Sequence, residues 1–581
     1  MMMRAPKIIV GGCIAAAALA GPIALREARA CGGFFCSQPP PDGTLPIAQA
    51  AENVLFVMDT DPATGASRVE AHVQILYTGP ATQFSWIVPV TAVPTVDVGW
   101  DILFDRIEPP TRPSFVPTYV QDGKCEGFGG DGIGCSGAAG SKASPTGGMA
   151  PPVDPSVDVI SRGSVGPYDY VIVRSENGAT LRTWLTNNGY FVSQDGARIV
   201  DEYVAGGHSF VAVKLQVGQD TSAIRPIILR LESAEACLPL KLTAIAATPD
   251  LRINVWVLAG ARAIPINYVE VAVNQAKLDW FRFGMNYDQL LQEAANEAQG
   301  NAFAVEYAQP ATTARTWFNL PTGSGLRESL PTKTDPPSYM ATLTMLGVQP
   351  IGAVLQILRK YIPMPASLAA QGLSEASFYS SIAAYWTQNR GEFAPFDPVA
   401  LTAALEADVF QPIDRLRTLF ERNNYLTRLA TFISPEEMTK DPLFVTNSRL
   451  PDIAPRHTAT ARVLCGDEEF SYCSAPVRLE LEDGRTVLYG SGACGGVAAA
   501  ARADIDKMPS ADVAWNRDPD SEGQVVLDNR DAISQALRAH NATISTPGGC
   551  GCALRARPRG LAAIALAVAA LAMIARRRRR R

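Results

Sequence analysis

Eleven cysteines are the residues whose chemistry in this chain depends most directly on their spacing. Cys13 lies in an apolar stretch near the N-terminus, and Cys550 and Cys552 lie in the C-terminal tail. The others can form disulfide bonds in an oxidising compartment, bind zinc as thiolates, or act as nucleophiles. They are Cys31, Cys36, Cys125, Cys135, Cys237, Cys465, Cys473 and Cys494.

Disulfide bonding is the chemistry that these eight cysteines favour. An even number in an exported chain is typical of a disulfide framework, although on the order of a hundred pairings are possible. Short separations along the chain make local pairs the simplest, and the last pair then follows by elimination. The expected pairs are Cys31–Cys36, Cys125–Cys135, Cys465–Cys473 and Cys237–Cys494, and side-chain geometry can overrule any of them.

A structural zinc site is disfavoured by the same spacing. The sequence contains no Cys-x-x-Cys element, and its 4 histidines lie far apart along the chain. Zinc sites in proteins usually combine closely spaced cysteine and histidine ligands. The histidines are His72, His208, His457 and His540.

Familiar catalytic patterns are also missing from the sequence. It contains neither His-Glu-x-x-His nor a P-loop, and GHSFV (207–211) lacks the last glycine of a nucleophile elbow. GFGGDG (127–132) fits the dinucleotide pattern but has no strand before it and no helix after it. A cysteine nucleophile would need a base beside its thiolate, and disulfide bonding argues against one. We therefore expect no catalytic, cofactor-binding or metal-binding residues.

The N-terminus has the order of parts of a secretory signal peptide. Arg4 and Lys7 precede the apolar stretch 8–25, and Ala-Arg-Ala (28–30) is a small-x-small cleavage sequence directly before a cysteine. We expect residues 1–30 to be removed and the rest of the chain to be exported.

The C-terminal tail has the composition of a membrane anchor. Residues 560–575 carry no charge and, as a helix, would reach roughly 24 Å, slightly less than a hydrocarbon core. A terminal arginine cluster indicates a cytoplasmic end, so we expect a single span with its C-terminus inside. The cluster consists of Arg576, Arg577, Arg578, Arg579, Arg580 and Arg581.

This tail resembles the MYXO-CTERM sorting signal of myxobacterial surface proteins. The likeness covers residues 546–581 and rests on Thr546-Pro547, on Cys550-Gly551-Cys552, on the short apolar helix and on the arginine cluster. The resemblance implies transient anchoring, cleavage near the cysteines by a membrane-embedded sorting protease, and display on the cell surface through a modified cysteine. A permanent tail anchor is the alternative.

The net charge of −6 gives no reason to expect nucleic-acid binding, which needs a basic surface. The expected partners are therefore the membrane, through the C-terminal helix before processing, the sorting protease, and a cell-envelope polysaccharide or surface protein. No cofactor is expected.

Hydrophobic periodicity predicts an α+β fold for the body of the chain. An antiparallel or mixed β-sheet domain with short helices is followed by a mostly helical region and a disulfide-bearing β-hairpin region. The predicted segments are a signal peptide (1–30), an α+β domain (31–283) with a flexible Gly/Ser/Pro-rich insert (123–167), a helical region (284–450), a β-hairpin region (451–496), a spacer (497–549) and the sorting signal (550–581).

Local patterns give the finer predictions. Residues 52–59 and 68–79 predict a hairpin, and the proline-containing stretch 84–99 predicts an edge strand. Two short helices are expected over 179–191 and 197–207. Further strands are expected over 208–217, 225–233, 240–248, 252–260 and 268–275.

The helical region and the segment after it carry clear capping and turn signals. Asp397-Pro398 predicts a helix start, Pro412 predicts a kink or an end, and residues 434–437 form a capping box. A hairpin turning at Asp483-Gly484 is expected over 477–490.

The body also resembles a bacterial family of secreted proteins of unknown function that begin with CGGFFC, here at Cys31. The likeness covers 31–279, with the insert as a departure, and extends to the stretch 434–445. It implies extracellular exposure and no known reaction. The sequence thus favours a surface-displayed, non-enzymatic binding or structural module. The alternative is a secreted hydrolase, which a pocket with two convergent carboxylates would favour, since these need no proximity in sequence.

Overall fold

The computed structural model describes residues 48–546 with internal gaps. The predicted signal peptide, the larger part of the insert and the sorting signal lie outside the described residues. The described ranges are 48–60, 64–78, 85–125, 157–190, 192, 194–216, 224–245, 247–320, 325–466, 471–491, 494 and 502–546.

Strands form much of the described chain. In chain order they are β1 (Ala48–Thr60), β2 (Ser67–Thr78), β3 (Ser85–Val90), β4 (Thr95–Val98), β5 (Ser114–Gly123), β6 (Asp158–Val165), β7 (Tyr168–Arg174), β8 (Ser209–Leu215), β9 (Ile227–Glu232), β10 (Ala236–Cys237), β11 (Ala247–Ala259), β12 (Arg262–Pro265), β13 (Val269–Val273), β14 (Ala302–Pro310), β15 (Tyr425–Ile433), β16 (Leu443–Asn447), β17 (Arg456–Gly466), β18 (Val477–Leu481), β19 (Thr486–Tyr489), β20 (Ala511–Asp518) and β21 (Ser521–Asp528).

The other regular elements of the described chain are helices. They are α1 (Ile102–Thr111), α2 (Gly178–Asn187), α3 (Gln194–Ala205), α4 (Leu240–Thr243), α5 (Tyr287–Glu297), α6 (Thr312–Thr316), α7 (Leu326–Ser329), α8 (Pro336–Met345), α9 (Gly352–Tyr361), α10 (Ala366–Ala370), α11 (Glu375–Ser380), α12 (Ile382–Asn389), α13 (Pro398–Leu405), α14 (Gln411–Arg422) and α15 (Arg530–Asn541), with a π turn at Glu406–Phe410 and 3-10 turns at Gln275–Lys277, Trp280–Arg282, Leu330–Thr332, Arg390–Glu392 and Pro435–Glu437.

A ten-stranded mixed sheet, here the central sheet, organises the molecule. Its spatial order is β21-β20-β13-β14-β15-β11-β1-β2-β9-β4. The pairs β1/β11 and β13/β14 are parallel, and the other neighbouring pairs are antiparallel. The α+β prediction with a mixed sheet is therefore confirmed.

Strand β1 lies inside this sheet and is buried on both faces. Val54 and Phe56 face one hydrophobic core, which contains α2 and α3. Leu55 and Val57 face a second core, formed with α1 and the helices between α6 and α14. Both faces are covered, so the strand is a nearly continuous apolar run in the sequence. The predicted hairpin of β1 with β2 is confirmed.

The described part of the chain forms three smaller sheets beside the central sheet. The β3 sheet has the order β3-β8-β7-β6, the β5 sheet has the order β19-β18-β17-β5, and the third has the order β10-β16-β12. Strand β3 lies at an edge, as its proline predicts, because Pro89 has no backbone N–H to donate to a second neighbour. The hairpin of β18 with β19 is confirmed as well.

The structure confirms the capping signals predicted for the helical region and the segment after it. The Asp397 side chain accepts hydrogen bonds from the backbone N–H groups of Val399 and Ala400 at the start of α13. Ahead of Pro412, the chain passes from α13 through the π turn into α14, so the missing N–H of the proline is accommodated without ending the helix. Ser434 and Glu437 form the predicted capping box.

The structure differs from the sequence predictions at two places and joins segments that the sequence separates. Residues 240–243 of the expected strand 240–248 form α4. Part of the expected spacer 497–549 forms β20, β21 and α15, and both strands pair within the central sheet. The predicted segments also share sheets, because β5 from the first pairs with β17 from the hairpin region. Long-range strand pairing leaves no local signal in the sequence, which explains the differences at β5, β17, β20 and β21.

Candidate functional site

A cavity of about 310 Å³ lies between the central sheet and β3, and we call it the β3 pocket. Alternate residues of a strand point to the same face of a sheet, so β1, β2 and β9 supply one wall and β3 supplies the other. The walls consist of Phe56, Val69, Ala71, Val73, Leu229 and Leu231 on the central sheet, and Trp86, Val88 and Val90 on β3. Small-molecule sites have volumes of roughly 300 Å³ and above, so this cavity lies near the lower end of their range.

Glu52 is a carboxyl group in this apolar surface, and it is only 1% exposed. Its cross-strand neighbours are Ile75 on β2 and Ile253 on β11. Gln49 Nε2 donates a hydrogen bond to Glu52 Oε2 at 2.9 Å. Glu52 Oε1 has no hydrogen-bond partner within the described part of the chain.

Burial shifts the acidity of this carboxyl. Removal from water raises the pKa of Glu52 from its usual 4.5 to about 7, and the hydrogen bond from Gln49 acts in the opposite direction. Glu52 therefore gains and loses its proton near neutral pH. A buried carboxyl that can be neutral or charged is able to donate or accept a hydrogen bond.

The exposed mouth of the pocket is formed partly by the end of α3. Tyr203 lies in its last turn, and the backbone then closes a Schellman motif in which His208 N donates to Tyr203 O and Gly207 N donates to Val204 O. Gly207 has a φ of 76°, a conformation that side chains disfavour. This turn places the His208 ring against the Tyr203 ring, with centroids 5.2 Å apart.

Asp441 joins Tyr203 to the opposite side of the mouth. The Tyr203 hydroxyl donates to Asp441 Oδ2 at 2.5 Å, and Lys241 N donates to Asp441 Oδ1 at 2.9 Å. Burial is the main cause of a raised pKa at Asp441, and these hydrogen bonds oppose it. Burial, together with the Asp441 charge, raises the pKa of Tyr203 far above its usual range, so the phenol stays a donor.

Cys237 lies at the mouth and is not in a disulfide bond, so its predicted pairing with Cys494 is wrong. Although the residue is exposed, the surrounding protein raises the pKa of its thiol to about 12, and the charges of Asp441 and Glu235 act in the same direction. Among the described residues, no hydrogen bond joins it to His208. A thiol that keeps its proton is a poor nucleophile.

The other cysteine pairs also differ from the local ones expected. Cys125 is bonded to Cys465, and Cys473 is bonded to Cys494, with Cα–Cα distances of 5.1 and 5.0 Å. The first bond joins the ends of β5 and β17, which run parallel and side by side although 340 residues separate the cysteines. The expected Cys125–Cys135 and Cys465–Cys473 pairs are therefore wrong, because sheet pairing decides which thiols meet.

The remaining predicted site residues lie outside the described residues. These are Cys31, Cys36, Cys135, Cys550, Cys552, and Arg576, Arg577, Arg578, Arg579, Arg580 and Arg581.

The structure places the four histidines apart. His72 contacts Glu70, His208 lies at the pocket mouth, His457 stacks on Phe115, and His540 contacts the Leu488 carbonyl. In the described ranges, no group of three or more His, Cys, Asp or Glu side chains is arranged to hold a metal ion. The same ranges contain no helix with the length and apolar character needed to cross a membrane.

Sequence reasoning singled out His208 and Cys237 of the pocket lining but not Glu52, Tyr203 or Asp441. Glu52 shares a strand face with Val54 and Phe56 in a period-two pattern, and this was the available signal that a carboxyl faces a core. No comparable signal links Tyr203 to Asp441, because 238 residues separate them.

Comparison with known proteins gives a family and no activity. No curated protein and no solved structure matches the chain. Residues 49–343, about half of the chain, match the model of a family described as "Uncharacterized protein conserved in bacteria (DUF2330)". This match contains both walls of the β3 pocket, Glu52 and Tyr203. The chain therefore belongs to this uncharacterized family of bacterial proteins.

Proposed function

We propose that the protein is an exported binding module, displayed at the cell surface, that holds a small molecule with an apolar body in the β3 pocket. The observation that carries this proposal is the pocket itself. Apolar side chains of four strands line a cavity of about 310 Å³, and a buried carboxyl lies in its surface. Apolar clefts with a few polar groups are the usual form of small-molecule sites.

Export is supported by the sequence and by the cysteines. The N-terminal signal sequence directs the chain out of the cytoplasm. Disulfide bonds form and persist in the oxidising compartments outside it. Two disulfide bonds are present in the described chain, and one of them ties β5 to β17 across 340 residues. The C-terminal tail would hold the protein in the membrane until a sorting protease processes it.

The lining holds three carboxyl groups, of Glu52, Glu235 and Asp441, but the groups at the mouth favour binding over catalysis. Both oxygens of Asp441 accept hydrogen bonds, from Tyr203 and from Lys241 N, and the Cys237 thiol keeps its proton. The pocket is then the contact that makes the module selective for its small ligand.

The test is a titration of the folded protein with prodan, a neutral dye whose emission shifts in apolar surroundings. Ala71 lies in the pocket wall and is 6% exposed, so Ala71→Phe places an aromatic ring in the cavity and narrows it. Ala205 is exposed on α3, and Ala205→Phe is the matched control. We expect saturable binding that Ala71→Phe weakens by about tenfold or more, with an unchanged circular dichroism spectrum. Equal binding by all three proteins, or no binding, would overturn the proposal.

A further inference from the structure

The β3 pocket presents one sign of charge to a ligand. Its lining contains the carboxyl groups of Glu52, Glu235 and Asp441, and among the described residues it contains no lysine or arginine. The nearby Lys241 pairs with Glu202 at 2.7 Å. A ligand carboxylate or phosphate would therefore be repelled without a counter-charge, because like charges in a poorly solvated site cost free energy.

Glu52 gives the pocket an acceptor that the protein does not use. Its Oε2 accepts from Gln49, and its Oε1 has no partner in the described chain, although the residue is 1% exposed. Because the carboxyl lies in a poorly solvated site, a ligand donor at this oxygen would gain more than it would at the surface. The neighbouring residues Ile75 and Ile253 offer no donor side chain.

We infer that the ligand of the β3 pocket is an apolar molecule that carries a basic amine, and that its N–H groups donate to the Glu52 carboxyl. This inference rests on the proposed function and names its ligand class. The apolar body would contact the walls formed by β2, β3 and β9. The charged amine would be buried beside a carboxylate, and the attraction between the two charges would offset part of the cost of taking them out of water.

Binding of the amine is coupled to the release of one proton from Glu52. An alkylamine is protonated at neutral pH, since its pKa is about 10. Where Glu52 is protonated in the empty pocket, it releases that proton to solvent, and an ammonium–carboxylate pair results. Affinity therefore rises as the pH increases through about 7. The other titratable groups of the lining are Tyr203, His208, Glu235, Cys237 and Asp441.

The experiment compares three ligands with one alkyl chain and different head groups. Octylamine, octan-1-ol and octanoic acid each displace prodan from the full chain at about pH 8. We expect octylamine to bind about tenfold more tightly than octan-1-ol, the factor of one charge-assisted hydrogen bond, and octanoic acid to bind most weakly. Glu52→Gln should remove the advantage of octylamine over octan-1-ol.

Glu232→Gln is the control, because Glu232 is an exposed carboxyl on β9. It should behave as the unchanged protein does. If octan-1-ol binds and octylamine has no advantage, or if Glu52→Gln leaves that advantage in place, the amine inference is wrong and the proposed function stands. If none of the three ligands displaces the dye, and Ala71→Phe does not affect dye binding, the proposed function itself fails.

Discussion

Burial raises the pKa of Glu52, so we predict that ionisation of this residue destabilises the fold at higher pH. A single substitution should remove this effect. Its pKa is about 7 in the folded protein against a usual 4.5. Because a pKa difference of one corresponds to about 1.4 kcal/mol, ionised Glu52 destabilises the fold by about 3 kcal/mol. The raised pKa means that the folded state holds its proton more tightly. The cost is therefore absent below about pH 4.5, grows between 4.5 and 7, and is complete above 7.

Glu52→Gln should remove this cost, since glutamine has a similar shape, stays neutral and can still hydrogen-bond with Gln49. Urea unfolding at about pH 4.5 and about pH 8 measures the effect. We expect the variant to equal the unchanged protein at the lower pH and to exceed its free energy of unfolding by about 3 kcal/mol at the higher pH. Glu232→Gln, at an exposed site, should show no such difference between the two pH values.

A variant that shows the same difference in unfolding free energy at both pH values, or that is the less stable protein at pH 8, would contradict this prediction. Either result would mean that ionised Glu52 has a partner that stabilises its charge. The buried end of the pocket would then not be an apolar site with an unused acceptor.

Three further predictions concern other parts of the chain. Replacing Cys125 and Cys465 with alanine should lower the free energy of unfolding by roughly 2–5 kcal/mol in a urea titration under oxidising conditions, because the bond closes a very long loop; an unchanged midpoint would contradict this. Tyr203→Phe removes a donor from Asp441 and should cost roughly 1–3 kcal/mol, measured by thermal unfolding, whereas an equal Tm would show that water replaces the hydroxyl. Mass spectrometry of the protein from its native cell surface should find a C-terminus near 550–552, and a chain that still ends with the arginine cluster would indicate a permanent anchor.

Local signals in the sequence predicted local structure well. The turn at Asp483-Gly484 and the cap at Asp397 involve residues only a few positions apart, so the sequence contains everything that decides them. The same holds for α2, which ends at Asn187 beside Asn188-Gly189, as the asparagine–glycine pair predicts. Turn and capping preferences are properties of short segments, and tertiary packing changes them little.

Long-range contacts could not be predicted from one sequence. The Cys125–Cys465 bond depends on parallel pairing of β5 with β17, and no local pattern indicates which strands become neighbours. The pocket depends in the same way on β3 lying over the face that β1, β2 and β9 share. In the sequence, Glu52 is an ordinary polar residue at the start of a strand. Its burial results from the packing of both pocket walls, which the sequence does not indicate.

The most direct test of the proposed binding site is to locate the ligand on the protein. An octyl alcohol that carries a photoreactive diazirine would be bound to the full chain and irradiated, and the labelled peptides would be identified by mass spectrometry. We predict labelling of β2, β3 and the segment 233–239, lost on addition of octylamine and in Ala71→Phe. Labelling at a different cavity, lined by residues that include Ile102, Arg106, Trp317 and Val354, or scattered labelling that octylamine does not reduce, would contradict the claim that the β3 pocket is the binding site.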